Sequence, residues 1–400
     1  MSKRRVGLWL IGAGGGVAST TALGLAALAR GLTTGVGVLT STPPFCELDL
    51  DEPPAFVLGG HDIRKMSFLE AVQEMHEQAN VFDERLIAAC TDDLKAWSAN
   101  IRTGVVYQPG AAIASLADRP DVKPATTPRA AIDQIQKDLR AFREAHTLDQ
   151  ILVANVASTE PPFATGDEQL TLEALLPALE RAHPAALPTS SLYAFAAIDA
   201  GFAYVNATPS VGATLPAIEQ LARTRGVPHA GQDLKTGETL LKSVLAPLFA
   251  RRNLKVLSWV GHNILGNRDG LVLNDPHNKA SKVKSKDALL GELLGYKPQS
   301  IVSIEYVESL NDWKTAWDHI HFEGFLGTRM SLQFTWQGCD SVLAAPLLID
   351  LTRLTLLAQR RKESGSLAYL ASFFKSPLGV KEHDLGRQFD MLLQHVQADA

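Results

Sequence analysis

Lysine is the residue this sequence concentrates where chemistry could use it. Ser281-Lys282-Val-Lys284-Ser-Lys286 sets Lys282 and Lys286 four residues apart, on one face of a helix. Ammonium groups that converge on a cleft suit a phosphate or a developing oxyanion. Repulsion and burial would also lower a lysine pKa toward the range useful for proton transfer. The same spacing is equally that of a solvated face with splayed charges, and the residues alone leave both open. Lys235, Lys242, Lys255, Lys279, Lys297 and Lys314 crowd the same region. Two polar runs lie within it: Gly231-Gln-Asp233-Leu-Lys235-Thr-Gly, and His262-Asn263-Ile-Leu-Gly266-Asn267-Arg268-Asp269-Gly270.

The second chemical signal is a glycine knot. Gly12-Ala-Gly14-Gly15-Gly16-Val17 follows the apolar run Val6–Ile11 and precedes the helical stretch Val17–Arg30. Glycines between a strand and a helix let the backbone approach a pyrophosphate, and the helix N-terminus supplies N–H groups. The match to the dinucleotide fingerprint is loose, with Val17 at the third position. Gly35–Thr40 reads as the second strand of a parallel unit. Its end carries Thr40, Ser41 and Thr42 where a ribose-binding acid is expected, so Asp62, after Gly59-Gly60, is the nearest candidate.

The elements that must position these residues alternate. Ala131–Ala145 has helical spacing (Ile132, Ile135, Leu139, Phe142) and leads into the buried-strand run Gln150–Val156. Leu170–Arg181 and Ser191–Ala200 read as helices, and Phe202–Asn206 as a strand. This is the signature of an α/β, doubly wound domain. Val256–Val260, Ser300–Val307 and Met330–Thr335 predict a second sheet, and Val342–Gln359 a long apolar helix returning to the first domain.

The 400 residues suit two domains, and 46% hydrophobic with 20% charged residues excludes a disordered or fibrous chain. A net charge of -5 without a basic run gives no footprint for nucleic acid. Lys3, Arg4 and Arg5 before an uncharged stretch imitate a targeting signal, but the glycine knot breaks the apolar run that such a signal needs. No other segment reads as long and apolar enough to span a bilayer. Cys46, Cys90 and Cys339 form no metal-binding spacing and suit a reducing cytoplasm. His229, His277, His319 and His321 show no metal pattern, no metal is expected, and Asp49, Asp51 and Glu52 read as a solvated acidic loop.

Taken in order, these motifs resemble the myo-inositol-phosphate synthase family nearly end to end. Gly12–Thr21 resembles its glycine turn, Gly59-Gly-His-Asp62-Ile its Gly-Gly-Trp-Asp-Ile, and Ser191–Pro209 its Ser/Ala-rich segment. Gly231-Gln-Asp233-Leu-Lys235-Thr-Gly-Glu-Thr resembles its Gly-Asp-Asp-x-Lys-x-Gly-x-Thr run. Asn263 to Gly270, Ser281 to Lys286, Tyr306 to Asp318 around Lys314, Asp340-Ser341-Val-Leu-Ala-Ala-Pro and Phe374-Lys375-Ser-Pro match its later motifs. His61, Gln232, Ile264 and Arg268 depart from them, and Arg268 adds a charge to the stretch around Asn267.

The resemblance implies a Rossmann-type domain over 1–235 plus 340–400, with an inserted α+β catalytic and tetramerisation unit over 236–339. It implies an NAD-dependent isomerising cyclase: glucose 6-phosphate is oxidised at C5, loses a proton from C6, closes onto C1 and is reduced again, giving myo-inositol phosphate. Lys282, Lys286, Lys314, Lys375, Asp233 and Asn267 are the implied catalytic set. Gly12, Gly14, Gly15, Gly16, Val17, Asp62, Asn155, Ser158, Asp269, Asp340 and Ser341 are the implied NAD contacts. The implied assembly is a cytoplasmic homotetramer acting on a small sugar phosphate, without nucleic acid or membrane. An ordinary dehydrogenase of a phosphorylated sugar, and a non-catalytic NAD-binding regulator, are the competing readings.

Overall fold

Val6-Gly-Leu-Trp-Leu-Ile11 carries no charged side chain and is buried along its whole length, as a strand covered on both faces must be. In the computed structural model, which describes residues 4–108, 110–122, 125–181, 186–267, 270 and 290–398, this strand is β1, an interior strand of a seven-stranded sheet. The others are β2 (Phe56–Asp62), β3 (Ile101–Thr103), β4 (Gln150–Asn155), β5 (Ala203–Asn206), β6 (Pro228–Gly231) and, after a second sheet, β11 (Gly365–Ser366). They lie in the order β11-β6-β5-β4-β1-β2-β3, every pairing parallel. This is the doubly wound order, and the switch between β1 and β4 opens a crevice at the strands' carboxyl ends.

Helices cover both faces. On one side α1 (Gly16–Ala29), α2 (Phe68–Ala79) and α3 (Glu84–Ser98) share a core with two later helices, α10 (Asp340–Arg360) and α11 (Leu385–Ala398). The other face is covered by α5 (Pro128–His146), α6 (Leu172–Leu179), α7 (Thr189–Asp199) and α8 (Pro216–Arg225), and the short α4 (Ala111–Ala114) lies in the chain between β3 and α5. Local chemistry sets several boundaries. Ser67 and Glu70 form a capping box on α2, and Thr127 caps α5 with Pro128 in its first turn. Helix α8 stops at Gly226 in the left-handed region.

The second sheet runs β10-β9-β7-β8, from β7 (Lys255–Leu265), β8 (Gln299–Tyr306), β9 (Trp313–Glu323) and β10 (Arg329–Cys339). Strands β7 and β8 are parallel, the other neighbours antiparallel. Phe249 of α9 (Gly237–Arg251) packs with Trp259 and Ile320 beneath one face. Helix α10 is long and apolar enough, by length and composition, to cross a membrane, yet 78% of its apolar window is buried inside the fold. It is a core helix packed on α1 and against β4, β5 and β6, and it corrects the expectation that no such segment exists beyond the N-terminus.

Two further expectations change. Gly35–Thr40 is not a strand: the chain turns there and enters a 3-10 turn at Leu39–Ser41. The Asp350 carboxylate of α10 accepts the N–H groups of Leu39 and Thr40, both at 2.8 Å. A valine-glycine alternation imitates a strand, but these backbone donors are taken by a side chain. The second strand is Phe56–Asp62. The acidic run is not solvated throughout either, because the Asp51 side chain is fully buried between Arg4 (2.8 Å) and Arg360 (2.7 Å), while Asp49 stays exposed.

Candidate active site

A cavity of about 420 Å³ opens at the carboxyl ends of β1 and β4 and reaches toward the second sheet. Gly12, Gly14, Gly15, Gly16 and Val17 form one wall. Gly12 sits at φ +86°, where a side chain is strained, and a Cβ there would lie 2.8 Å from the Ala157 backbone. A Cβ on Gly14 would meet Met66 at 2.7 Å, and one on Gly16 would meet Ser341 Oγ at 2.4 Å. Helix α1 begins after Gly15 without a side-chain cap. Its opening N–H groups therefore face the cavity as a cradle for phosphate.

Moving the second strand to β2 puts Asp62 at its last position. That is where the ribose-binding acid of a dinucleotide site belongs. Asp62 Oδ2 accepts the Gly14 N–H at 2.6 Å, and Oδ1 accepts the Arg64 N–H at 2.7 Å, so the carboxylate also fixes the turn. Glycine cradle, uncapped helix and strand-end acid together fit a dinucleotide. Asn155 and Ser158 line the same wall, and Asn155 donates to Asn206 and Thr208, both at 3.2 Å, tying the loops after β4 and β5 together.

The opposite wall carries cations and acids. The segment Gly231–Lys235 runs antiparallel to Phe373–Leu378: Gln232 and Ser376 exchange backbone hydrogen bonds, and the Lys375 N–H donates to the Asp233 carbonyl at 2.7 Å. This ladder sets Lys375 Nζ 2.9 Å from Asp233 Oδ1. From β9, Lys314 Nζ lies 3.4 Å from Asp340 Oδ2 at the start of α10. Lys314, Lys375, Asp233, Asn267, Asp340 and Ser341 all line the cavity that the glycine turn lines. Lys282, Lys286, Arg268 and Asp269 lie outside the described residues, as does His277.

Several acids lining the cavity escape the sequence reading, Asp312 and Glu160 among them. Asp312 accepts from Asn267 Nδ2 (3.1 Å), Ser341 Oγ (3.1 Å) and Cys339 Sγ (2.7 Å), and burial raises its pKa. Asn267 in turn accepts the Gly270 N–H at 3.0 Å. Burial, with Asp312 beside it, also pushes the Cys339 thiol up. Its place two residues before Lys314 in a matched motif is the only sequence signal Asp312 gives. Glu160 takes the Ser190 N–H at 3.0 Å and is raised by burial. It lines the cavity with no sequence signal beyond its nearness to Ser158.

Lys235 does not line the cavity. It is buried, donates to Gln388 of α11, and is lowered by burial to about 8. Lys242 is buried 2.5 Å from Glu238. His61, where the resembled family has Trp, is buried and neutral-favouring, its pKa lowered by burial. Its Nδ1 accepts from Trp9 Nε1 at 3.3 Å, which leaves the Nε2 proton for Asp138 at 3.1 Å. Among the described residues no group of His, Cys, Asp and Glu has metal-binding geometry.

An NAD-binding family model described as myo-inositol-1-phosphate synthase matches residues 6–397. The chain belongs to the myo-inositol-1-phosphate synthase family. The cofactor of this family is NAD. The inositol-3-phosphate synthase 1 of Bacteroides thetaiotaomicron is 32% identical over 98% of this chain and 94% of its own length. The inositol-3-phosphate synthase of Dictyostelium discoideum is 31% identical over 77% of the chain, which spans 60% of that longer protein. Among solved structures, the inositol-3-phosphate synthase of Caenorhabditis elegans superposes with a TM-score of 0.86 at 25% identity, covering 99% of this chain and 86% of its own. The synthase-family fold thus accounts for both sheets.

Proposed function

We propose that the protein is an inositol-3-phosphate synthase that converts glucose 6-phosphate to myo-inositol phosphate. The observation that carries the proposal is one cavity lined by the glycine turn on one side and two lysine–carboxylate pairs on the other. Bound NAD supplies a hydride acceptor that returns the hydride at the end of the cycle. This chain's own residues manage charge. Each stage of such a cyclisation puts negative charge on a sugar oxygen, and among the described residues Lys314 and Lys375 are the lysines that line the cavity. Asp233 orients Lys375, and Asp340 does the same for Lys314. Asn267, held by Asp312, serves the nicotinamide end. Lys282, Lys286 and Asp269 join the set on their motifs alone.

The division into a dinucleotide unit (1–235 with 340–400) and an inserted unit (236–339) belongs to the same proposal, supported by the return of β11 to the large sheet. So does a homotetramer. Trp317 and Ile301 stand exposed on one face of the second sheet, opposite His262 and Val260 of the intervening strand, with exposed Phe325 and Leu326 at its turn. A cytoplasmic location accords with three free thiols.

The test is incubation with glucose 6-phosphate and NAD+. The expected product has the substrate's mass, resists borohydride because it has no aldehyde, and forms without net NADH absorbance. NADH accumulating in step with substrate loss would identify a conventional dehydrogenase instead, and dinucleotide binding without turnover a regulator.

A further inference from the structure

Past Asp62 the chain continues Ile63-Arg64-Lys65, and Arg64 does something its neighbours do not explain. Its Nη2 donates to the Gly14 carbonyl at 2.6 Å, and its Nε lies 3.7 Å from Asp62 Oδ1. Its Nη1 is buried without a hydrogen-bond partner among the described residues. A buried guanidinium donor left unmatched costs free energy unless an acceptor arrives. The residue lines the cavity beside Asp62, and the apolar side chains of Ile63, Ile113 and Leu116 line it nearby, a surface suited to an adenine ring. Its carbonyl accepts from Arg119 Nε at 2.9 Å, which fixes the backbone on the outer side.

In sheets of this order, the end of the second strand meets the 2′ position of the adenosine ribose. An acid there takes a 2′-hydroxyl, and an arginine nearby accommodates a 2′-phosphate. This chain has both. Each Asp62 oxygen already receives a backbone N–H, which disperses part of the charge that would repel a phosphate. Arg64, exposed Lys65 and Arg119 supply positive charge against Asp62 and Asp118, whose carboxylate accepts the Lys65 N–H.

We propose that Arg64 reads the 2′ position of the adenosine ribose, and that the site accepts a 2′-phosphorylated nicotinamide dinucleotide alongside the unphosphorylated one. The inference rests on the dinucleotide reading of the cavity, and its test separates the two. NADH and NADPH are titrated against the protein without sugar phosphate, following nicotinamide fluorescence. The wild-type protein binds NADPH within about tenfold of NADH. Arg64→Ala weakens NADPH on the order of ten- to a hundredfold, the loss expected for a charge-assisted bond, and NADH less than threefold. Arg64→Lys, which keeps the charge, restores most of the NADPH affinity. A wild-type gap wider than tenfold overturns the proposal. Equal losses for both dinucleotides in Arg64→Ala do so too, since bracing of Gly14 alone would act on both. Failure of NADH itself to bind would instead remove the dinucleotide reading.

Discussion

Replacing Lys375 with Met keeps an unbranched side chain one atom shorter and deletes its ammonium. In the wild type that group lies 2.9 Å from Asp233 Oδ1, with the two side chains 22% and 14% exposed, and the paired backbones hold it in place. A donor so aimed at developing oxyanion charge is worth roughly 2.7–4 kcal/mol. Lys375→Met should therefore lower kcat about a hundred- to a thousandfold. Asp233→Asn preserves shape but removes the carboxylate that orients the ammonium, at the level of one charged hydrogen bond, about 1.5–3 kcal/mol. If Asp233 acts through Lys375, the double variant is no slower than Lys375→Met, within about 0.5 kcal/mol, because the orienting group has nothing left to orient. The assay is the initial rate of inositol phosphate formation at saturating NAD+, with NADH affinity measured beside it. Additive losses in the double variant, or NADH affinity falling in parallel with kcat, would refute the reasoning.

Gly16→Ala improves helix propensity and places a Cβ 2.4 Å from Ser341 Oγ. A melt and an NADH titration should show stability down by about 1–3 kcal/mol and dinucleotide affinity lowered, with an unchanged melt refuting the contact. His61 is held below its ordinary pKa by burial, so the unfolded chain binds more protons. Stability is then full above about pH 6.5 and declines on acidification with a slope of up to about 1.4 kcal/mol per pH unit. His146 and His383 shift in the same direction, so His61→Gln should reduce this slope in pH-dependent melts without abolishing it. Trp317→Glu puts a charge on the exposed face of the second sheet and should leave a smaller assembly by light scattering. Lys282→Ala should abolish cyclisation with NADH affinity nearly intact, and equal loss of both would assign it a structural role.

What the sequence discloses depends on whether the cause is local. β1, β4, β5 and the helix over Pro128–His146 are readable because apolar runs and helical spacing lie within one segment. Gly35–Thr40 misleads because its alternation is local while its determinant, Asp350, lies more than three hundred residues away. That error also hides the placement of Asp62, whose role depends on Phe56–Asp62 being the strand beside β1. Strand β9 mixes Lys314, Asp318 and two histidines among aromatics, and only its antiparallel pairing on both sides makes it a strand. Asp312 is legible as part of a motif but not as the acceptor of Asn267, Cys339 and Ser341, because those partners come from the loop after β7, the end of β10 and the start of α10. Motif order thus predicts membership of the cavity better than it predicts contact.

The carboxylates beside the lysines look at first like the wrong charge for a cavity that must favour oxyanions. Lys235 explains them. Buried against an amide oxygen of Gln388, with the charge of Asp384 opposing the shift, it is drawn down by burial to about 8. A lysine taken out of water without a carboxylate in contact thus loses much of its preference for charge, whereas an opposite charge within about 4–6 Å favours the protonated form. Lys314 and Lys375 differ from Lys235 in geometry, each having a carboxylate in contact, at 3.4 and 2.9 Å. Pairing also limits the mutual repulsion of cations lining one cavity. The two donors are already oriented before negative charge forms on the sugar. The acids contribute by holding the aim of the lysines, which is why removing Asp233 should matter only while Lys375 is present.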